Sequence, residues 1–124
     1  MSTALVVDDS RVIRQLCRTI MEDLGYDVVE AEDGSVAMEQ AAKHAPQVIL
    51  LDWNMPVMDG MQFLLAFRQL KEHKDAKVIF CTTENDFSKI QAAMAAGADE
   101  YIMKPFDKSI VQDKLVQLGV LEGS

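Results

Sequence analysis

Length, composition and charge already exclude several classes of function. The chain has 124 residues, of which 49% are hydrophobic, so it fits one domain with a sizeable core. Its formal net charge of −8 argues against nucleic acid or an anionic membrane surface as the main partner. No apolar run approaches the roughly 20 residues of a membrane span, and no signal-peptide pattern opens the chain, so we predict a cytoplasmic protein with no membrane partner.

The first third of the chain predicts two strand–helix units. Residues 4–7 form an apolar strand that ends in Asp8 and Asp9, and Ser10 is predicted to cap the following helix. A second strand at residues 28–31 precedes a weakly amphipathic helix. The three-four spacing of the first helix predicts a buried face of Ile13, Leu16, Cys17, Ile20, Met21 and Leu24.

The rest of the chain predicts three more units. A fully apolar strand at residues 48–51 delivers Asp52 where it ends, and a helix follows Gly60. Further strands are predicted at residues 78–81 and 101–103, each followed by a helix. The helix after Gly60 carries an apolar stripe of Phe63, Leu64, Phe67 and Leu70.

Five strand–helix units in succession predict a fold class, the α/β doubly wound parallel sheet with helices on both faces. Ligands of such sheets bind beyond the carboxyl ends of the strands. Since parallel strands bring these ends to one edge, we expect the polar residues that follow four of the strands to meet there: Asp8, Asp9, Asp52, Thr82 and Lys104.

The chemistry of these residues predicts a metal-assisted phosphoryl site. Several carboxylates in one pocket repel one another and recruit a cation, and an all-oxygen set favours Mg²⁺ over zinc. A metal ion, a lysine and a hydroxyl around one carboxylate are what an aspartyl-phosphate intermediate requires. His44 and His73 fall near predicted helix C-termini, where the helix dipole explains them better than a metal role. Both Cys17 and Cys81 are predicted to be buried thiols.

The same residues resemble the receiver domain of two-component response regulators. The resemblance rests on Asp8-Asp9, Asp52 with Met55-Pro56 and Asp59-Gly60, Thr82, and Lys104-Pro105-Phe106, in that order over nearly the whole chain. It implies a flavodoxin-like fold with strand order 2-1-3-4-5. The chain is therefore expected to form a single receiver domain over residues 1–124, with no output domain.

The resemblance also assigns roles to residues. Asp52 is implied to accept a phosphoryl group from a phosphohistidine, with Lys104 and Thr82 assisting. Mg²⁺ would be bound directly by Asp9, Asp52 and the backbone carbonyl of Asn54, while Asp8 would act through water. The remaining implied roles are a switch made of Thr82 and Tyr101, residues that tune the phosphoryl lifetime at Asn54 and Glu84, and a cis bond before Pro105.

The implied partners are a histidine kinase or phosphotransfer domain and a downstream target protein. The resemblance is to stand-alone, CheY-like regulators of chemotaxis, which implies a monomer whose target, a flagellar motor for example, binds the fourth helix, fifth strand and fifth helix. A basic strip of Arg11, Arg14 and Arg18 on the first helix is either a docking surface for the kinase or a solvated helix face.

Other functions compete with this interpretation. Within the switch class, the chain could serve as a phosphorelay intermediate or a phosphate sink. A small Mg²⁺-dependent phosphatase with an aspartyl nucleophile would need a substrate cap, for which the chain has few residues. A receiver that binds partners without taking phosphate is disfavoured, because all five sequence elements are retained.

Overall fold

The computed structural model describes residues 2–83 and 87–121, and in this part of the chain strands and helices alternate. The strands are β1 (Thr3–Val7), β2 (Asp27–Ala31), β3 (Val48–Asp52), β4 (Lys77–Thr82) and β5 (Glu100–Met103). The helices are α1 (Arg11–Asp23), α2 (Gly34–His44), α3 (Gly60–Phe67), α4 (Phe87–Ala95) and α5 (Lys108–Gln117), with a short 3-10 helix at Lys71–His73. The helices described include none long and apolar enough to cross a membrane.

The strands form one parallel sheet in the order β2-β1-β3-β4-β5, which confirms the predicted fold class. Helices α1 and α5 pack on one face through Cys17, Met21 and Leu115. Helices α2, α3 and α4 pack on the other face, where Phe63 and Phe67 are completely buried. All five residues of β3 are buried, and Asp52 is the last of them, at the carboxyl end of the central strand.

Side-chain caps determine where four of the helices begin. Ser10, Asp33, Asp59 and Asp107 each lie one residue before a helix and accept a hydrogen bond from a backbone amide of its first turn. Asp59 also forms a reciprocal capping box with Gln62, at 2.9 Å in both directions. The predicted cap at Ser10 is thus confirmed, and the polar residues of the loops are engaged in starting helices.

Three details of the predicted helices and loops turn out differently. Leu16 is 47% exposed, because the buried stripe of α1 is narrow and centres on Cys17, Ile20 and Met21. The third helix ends at Phe67, so Leu70 lies outside it and starts the 3-10 turn. His73 is buried within that turn and stacks on the Phe67 ring at 4.8 Å. Both cysteines are buried and free, as predicted.

Candidate functional site

Three carboxylates converge at the carboxyl edge of the sheet, as the sequence predicts. Asp8 and Asp9 follow β1, and Asp52 is the last residue of the neighbouring strand β3. Each contributes an oxygen to a group whose members all lie within 4.8 Å of one another. Asp8 is 4% and Asp52 9% exposed, whereas Asp9 faces solvent. An all-oxygen set with one open side fits a hard divalent cation such as Mg²⁺.

Lys104 joins two of these carboxylates. It follows β5, at the far side of the sheet from β1, and its Nζ donates to Asp8 Oδ2 at 2.8 Å and to Asp52 Oδ1 at 3.1 Å. Its backbone amide donates to the Thr82 carbonyl at 2.8 Å, which fixes the loop that carries it. The peptide bond between Lys104 and Pro105 is cis, as the resemblance implies. Lys104 therefore places a positive charge between two acids from different strands.

The charges in this cluster oppose one another unequally. Burial raises the pKa of Asp52, the charge of Asp8 raises it further, and Lys104 and the Trp53 amide lower it only in part. For Lys104, burial by itself lowers the pKa, but the hydrogen bond to Asp8 and the charge of Asp52 leave the pKa raised overall. The lysine is therefore held firmly as a cation, while ionised Asp52 still lacks full compensation.

Backbone contacts hold the loop that follows β1. The backbone amide of Asp8 donates to the Ala31 carbonyl at 3.1 Å, and the Asp8 side-chain Oδ1 accepts from the Ser10 amide at 2.9 Å. The Asp8 carbonyl accepts a hydrogen bond from Arg14 Nη1 at 2.7 Å. This last contact was not predicted, because nothing in the local pattern of α1 indicates where an arginine on its surface will reach.

The loop that follows Asp52 is held by close backbone packing. The Gly60 amide donates to the Trp53 carbonyl at 2.9 Å, and a Cβ on Gly60 would lie 2.3 Å from the Asp52 carbonyl oxygen. Glycine at position 60 is therefore required, because any side chain there would collide with the backbone of Asp52.

A γ-turn in the same loop is centred on Val57. It puts this β-branched residue at φ 68°, with the Met58 amide 2.7 Å from the Pro56 carbonyl.

Trp53 is the first residue of this loop, directly after Asp52. Its ring packs on Phe80 of β4 at a centroid distance of 4.9 Å, and it is partly buried against the core. Trp53 is thus a half-buried aromatic that packs on the core directly beside Asp52. Because Trp53 adjoins Asp52, its fluorescence is a natural reporter of the acidic cluster.

The other predicted site residues lie near this edge in different settings. Thr82 ends β4, is 2% exposed and pairs with Met103 in the sheet. Tyr101 lies on β5 opposite Phe80 and is partly buried against the core. Asn54 is exposed in the loop after Asp52. The remaining predicted residue, Glu84, lies outside the described residues.

The predicted basic strip of α1 is largely neutralised. Glu30 of β2 accepts hydrogen bonds from Arg14 Nε at 3.2 Å and from Arg18 Nη1 at 2.5 Å, and Arg18 also pairs with Glu22 at 3.3 Å. Arg11 is exposed. Arg14 and Arg18 are thus paired with carboxylates of this chain. The strip keeps little net positive charge with which to bind a kinase, and this argues against the docking interpretation.

An apolar groove opens beside the acidic cluster instead. It has a volume of about 330 Å³ and lies between α1 and the loop after β5. Lys104, which bonds Asp8 and Asp52, also lines the groove, so the groove is continuous with the site. Its lining residues are Ile13, Leu16, Thr83, Lys104, Pro105 and Phe106.

Comparison with known proteins identifies the family. Residues 4–116 match the response regulator receiver domain. The chain belongs to this family. It is 39% identical over 118 residues to the chemotaxis protein CheY1 of Helicobacter pylori, covering 93% of this chain and 95% of the relative. It is 37% identical over 113 residues to a chemotaxis protein CheY homolog of Campylobacter jejuni, covering 90% of this chain and 87% of the relative.

Solved structures agree with this assignment. The chemotaxis protein CheY4 of Vibrio cholerae superimposes with a TM-score of 0.89 at 37% sequence identity, covering 95% of this chain and 98% of that chain. A receiver domain of this kind is a phosphorylation-activated response regulator, not a metabolic enzyme. Among its similar proteins, those named above are all chemotaxis proteins of the CheY type. The acidic edge of the sheet is the part of this chain where phosphoryl chemistry fits.

Proposed function

We propose that Asp52 is the phosphoryl acceptor through which this chemotaxis response regulator is switched. The observation that carries the proposal is the double contact of Lys104, whose ammonium group donates separate hydrogen bonds to Asp8 and Asp52 within the carboxylate cluster. A buried carboxylate beside a fixed cation and a ready metal-ligand set suits attack on a phosphoryl group, since such reactions depend mainly on positioning and charge stabilisation.

In the proposed transfer, an Asp52 carboxylate oxygen attacks the phosphorus of a phosphohistidine on the kinase or phosphotransfer partner. A P–O bond forms, the P–N bond breaks, and its electron pair stays on the imidazole. The ammonium of Lys104 stands 3.1 Å from Asp52 Oδ1 and can follow the negative charge that develops on the phosphoryl oxygens. The chain thereby assists its own phosphorylation, with no turnover of a metabolite.

The acidic cluster is proposed to hold Mg²⁺. Asp9, Asp52 and the backbone carbonyl of Asn54 would be its ligands, with Asp8 acting through water. When bound, the ion would neutralise part of the charge on the transferred phosphoryl group. Exposed Asp9 leaves the cluster open to solvent, which suits an ion that keeps several waters.

Thr82 and Tyr101 are proposed to transmit the change. Phosphate adds charge and acceptor oxygens at Asp52, and the Thr82 hydroxyl is the proposed donor to them from the neighbouring strand. Tyr101 would then change position and alter the surface of α4, β5 and α5, where the target protein binds. That surface carries exposed apolar side chains at Phe87, Met94, Met103 and Ile110. Asn54 and Glu84 are proposed to tune a phosphoryl lifetime of seconds to minutes.

Acetyl phosphate with Mg²⁺ tests this function directly. We expect stoichiometric labelling of the protein and its loss in Asp52→Asn, with Asp27→Asn as a control carboxylate at the opposite end of the sheet. Multiple turnover of a small phosphate ester would support the phosphatase class instead. Absence of labelling in the unaltered protein would contradict the proposal and favour a binding-only receiver.

A further inference from the structure

Asp9 is the carboxylate of this cluster that faces solvent. Within residues 2–83 and 87–121, no hydrogen-bond donor is found on the Asp9 carboxylate, whereas Asp8 is bonded at both of its side-chain oxygens. The direction in which Asp9 points therefore depends on the backbone that carries it. Because the peptide unit is planar, the carbonyl of Asp8 and the amide of Asp9 turn together.

Arg14 holds that peptide plane. Its Nη1 donates to the Asp8 carbonyl at 2.7 Å from one turn into α1, and in the preceding peptide unit the Asp8 amide donates to the Ala31 carbonyl at 3.1 Å. Its Nε donates to Glu30 at 3.2 Å, and its side chain is 16% exposed, so the guanidinium is held between two acceptors. Such a planar, two-point hold is specific to arginine.

We propose that Arg14 is a positioning residue for the divalent-cation site, since it holds the Asp8–Asp9 peptide plane and thereby sets the direction of the Asp9 carboxylate. The inference rests on the proposed Mg²⁺ site and deepens it. Glu30 acts one step further out by fixing the guanidinium. Partners that orient metal ligands in this way commonly change metal affinity by tenfold or more when they are removed.

Charge and position predict opposite results for this residue. Arg14 is a cation close to a cation site, so by electrostatics alone its removal tightens Mg²⁺ binding. By positioning, its removal weakens binding, because the ligands lose their fixed direction. Arg18 offers a matched control: it pairs with the same Glu30 and donates to the Val28 carbonyl at 3.3 Å, and within residues 2–83 and 87–121 its hydrogen bonds do not include Asp8.

The experiment is a Mg²⁺ titration of Arg14→Gln and Arg18→Gln by calorimetry, with Trp53 fluorescence as a second signal. We expect the dissociation constant to rise about tenfold in Arg14→Gln and to stay within about twofold in Arg18→Gln, at similar melting temperatures. Without Mg²⁺, the backbone amide resonances of Asp9 and Ser10 are expected to shift in Arg14→Gln but not in Arg18→Gln.

Unchanged or tighter Mg²⁺ binding in Arg14→Gln would overturn the proposal, and so would equal weakening in both variants. Failure of the unaltered protein to bind Mg²⁺ would instead overturn the metal site itself, and this inference with it. Phosphorylation is not needed as a readout, so loss of acceptor function at Asp52 is recognised separately by the labelling assay.

Discussion

Burial and a second carboxylate, Asp8, both oppose ionisation of Asp52 and raise its pKa. Lys104 lowers the pKa of Asp52, but burial and Asp8 leave that pKa above the usual aspartate value. Compared with an unfolded chain, the folded protein therefore binds the Asp52 proton more tightly. The stabilising contribution of this group is present below the unfolded pKa and is lost as the pH rises through the folded pKa.

Replacing Lys104 tests this balance. In Lys104→Met, we expect a further rise in the pKa of Asp52, because the cation that lowers it has been removed. The side-chain carboxyl resonance of Asp52, followed by NMR as a function of pH, measures the change. Lys108→Met, at an exposed lysine that begins α5, is the control. A lower or unchanged pKa in Lys104→Met would contradict the assignment.

Val57 has a backbone conformation that suits glycine. Its φ of 68° lies in the left-handed region, and its side chain is 83% exposed, so little packing offsets the strain. We expect Val57→Gly to be more stable than Val57→Ala by about 1 kcal/mol, since alanine keeps the Cβ that opposes this conformation. Urea unfolding of both variants provides the measurement, and equal stability would show that the turn is unstrained.

At the scale of elements, the start of α3 packs directly against the backbone at the end of β3. Asp59 caps the helix, and Gly60 meets the Asp52 carbonyl without a side chain between them. On the opposite side of the loop, the Gly34 amide of α2 donates to the Met58 carbonyl at 2.9 Å. The loop that follows Asp52, residues 53–59, is thus held between the N-termini of α2 and α3.

A side chain at Gly60 should disturb this packing. In Gly60→Ala, the new Cβ would meet backbone at 2.3 Å, and backbone cannot yield as a flexible side chain does. We expect a loss of about 1–3 kcal/mol in the free energy of unfolding and slower labelling by acetyl phosphate. Leu65→Ala, at a half-exposed position of the same helix, is the control for labelling. Wild-type stability and labelling rate in Gly60→Ala would argue against this close approach.

For the molecule as a whole, the site couples the two halves of the sheet. Asp8 and Asp9 come from β1, Asp52 from β3 and Lys104 from β5, so the carboxylates and their cation meet only when the chain is folded. An ion held by this cluster binds the folded state in preference to the unfolded one. Stability should therefore depend on metal concentration.

Mg²⁺ at a hundred times its dissociation constant should add about 2.7 kcal/mol to the free energy of unfolding. Chelation should remove this gain. In Asp9→Asn the gain is expected to be largely lost, whereas Asp27→Asn, at the other end of the sheet, should keep it. Thermal unfolding with and without Mg²⁺ measures both. An equal gain in the two variants would place the ion elsewhere.

The variant Asp52→Asn tests how the stability of the protein depends on pH. In the absence of Mg²⁺ we expect the variant to be more stable at neutral pH than the unaltered protein, because it lacks the carboxylate whose raised pKa marks an unfavourable charge. The difference should shrink as the pH falls through the pKa of Asp52 and that carboxylate is protonated. A variant that is less stable at neutral pH would contradict the charge balance described here.

The sequence by itself determined the fold class and the members of the acidic cluster. Strand and helix patterns are local, and parallel strands must bring their carboxyl ends together, so the sequence alone groups Asp8, Asp9, Asp52 and Lys104. The roles of Thr82, Tyr101, Asn54 and Glu84, and the single-domain organisation, stay predictions.

The tertiary structure alone decided how these residues are held. The bond from Arg14 to the Asp8 carbonyl, the exposure of Leu16 and the close approach of Gly60 to Asp52 each depend on which surfaces meet across the sheet. Periodicity reports which face of an element is buried, but it carries no information about the partner that a long side chain reaches. Which charged residues come together thus follows from their positions at the strand ends, whereas the orientation of their side chains depends on tertiary packing.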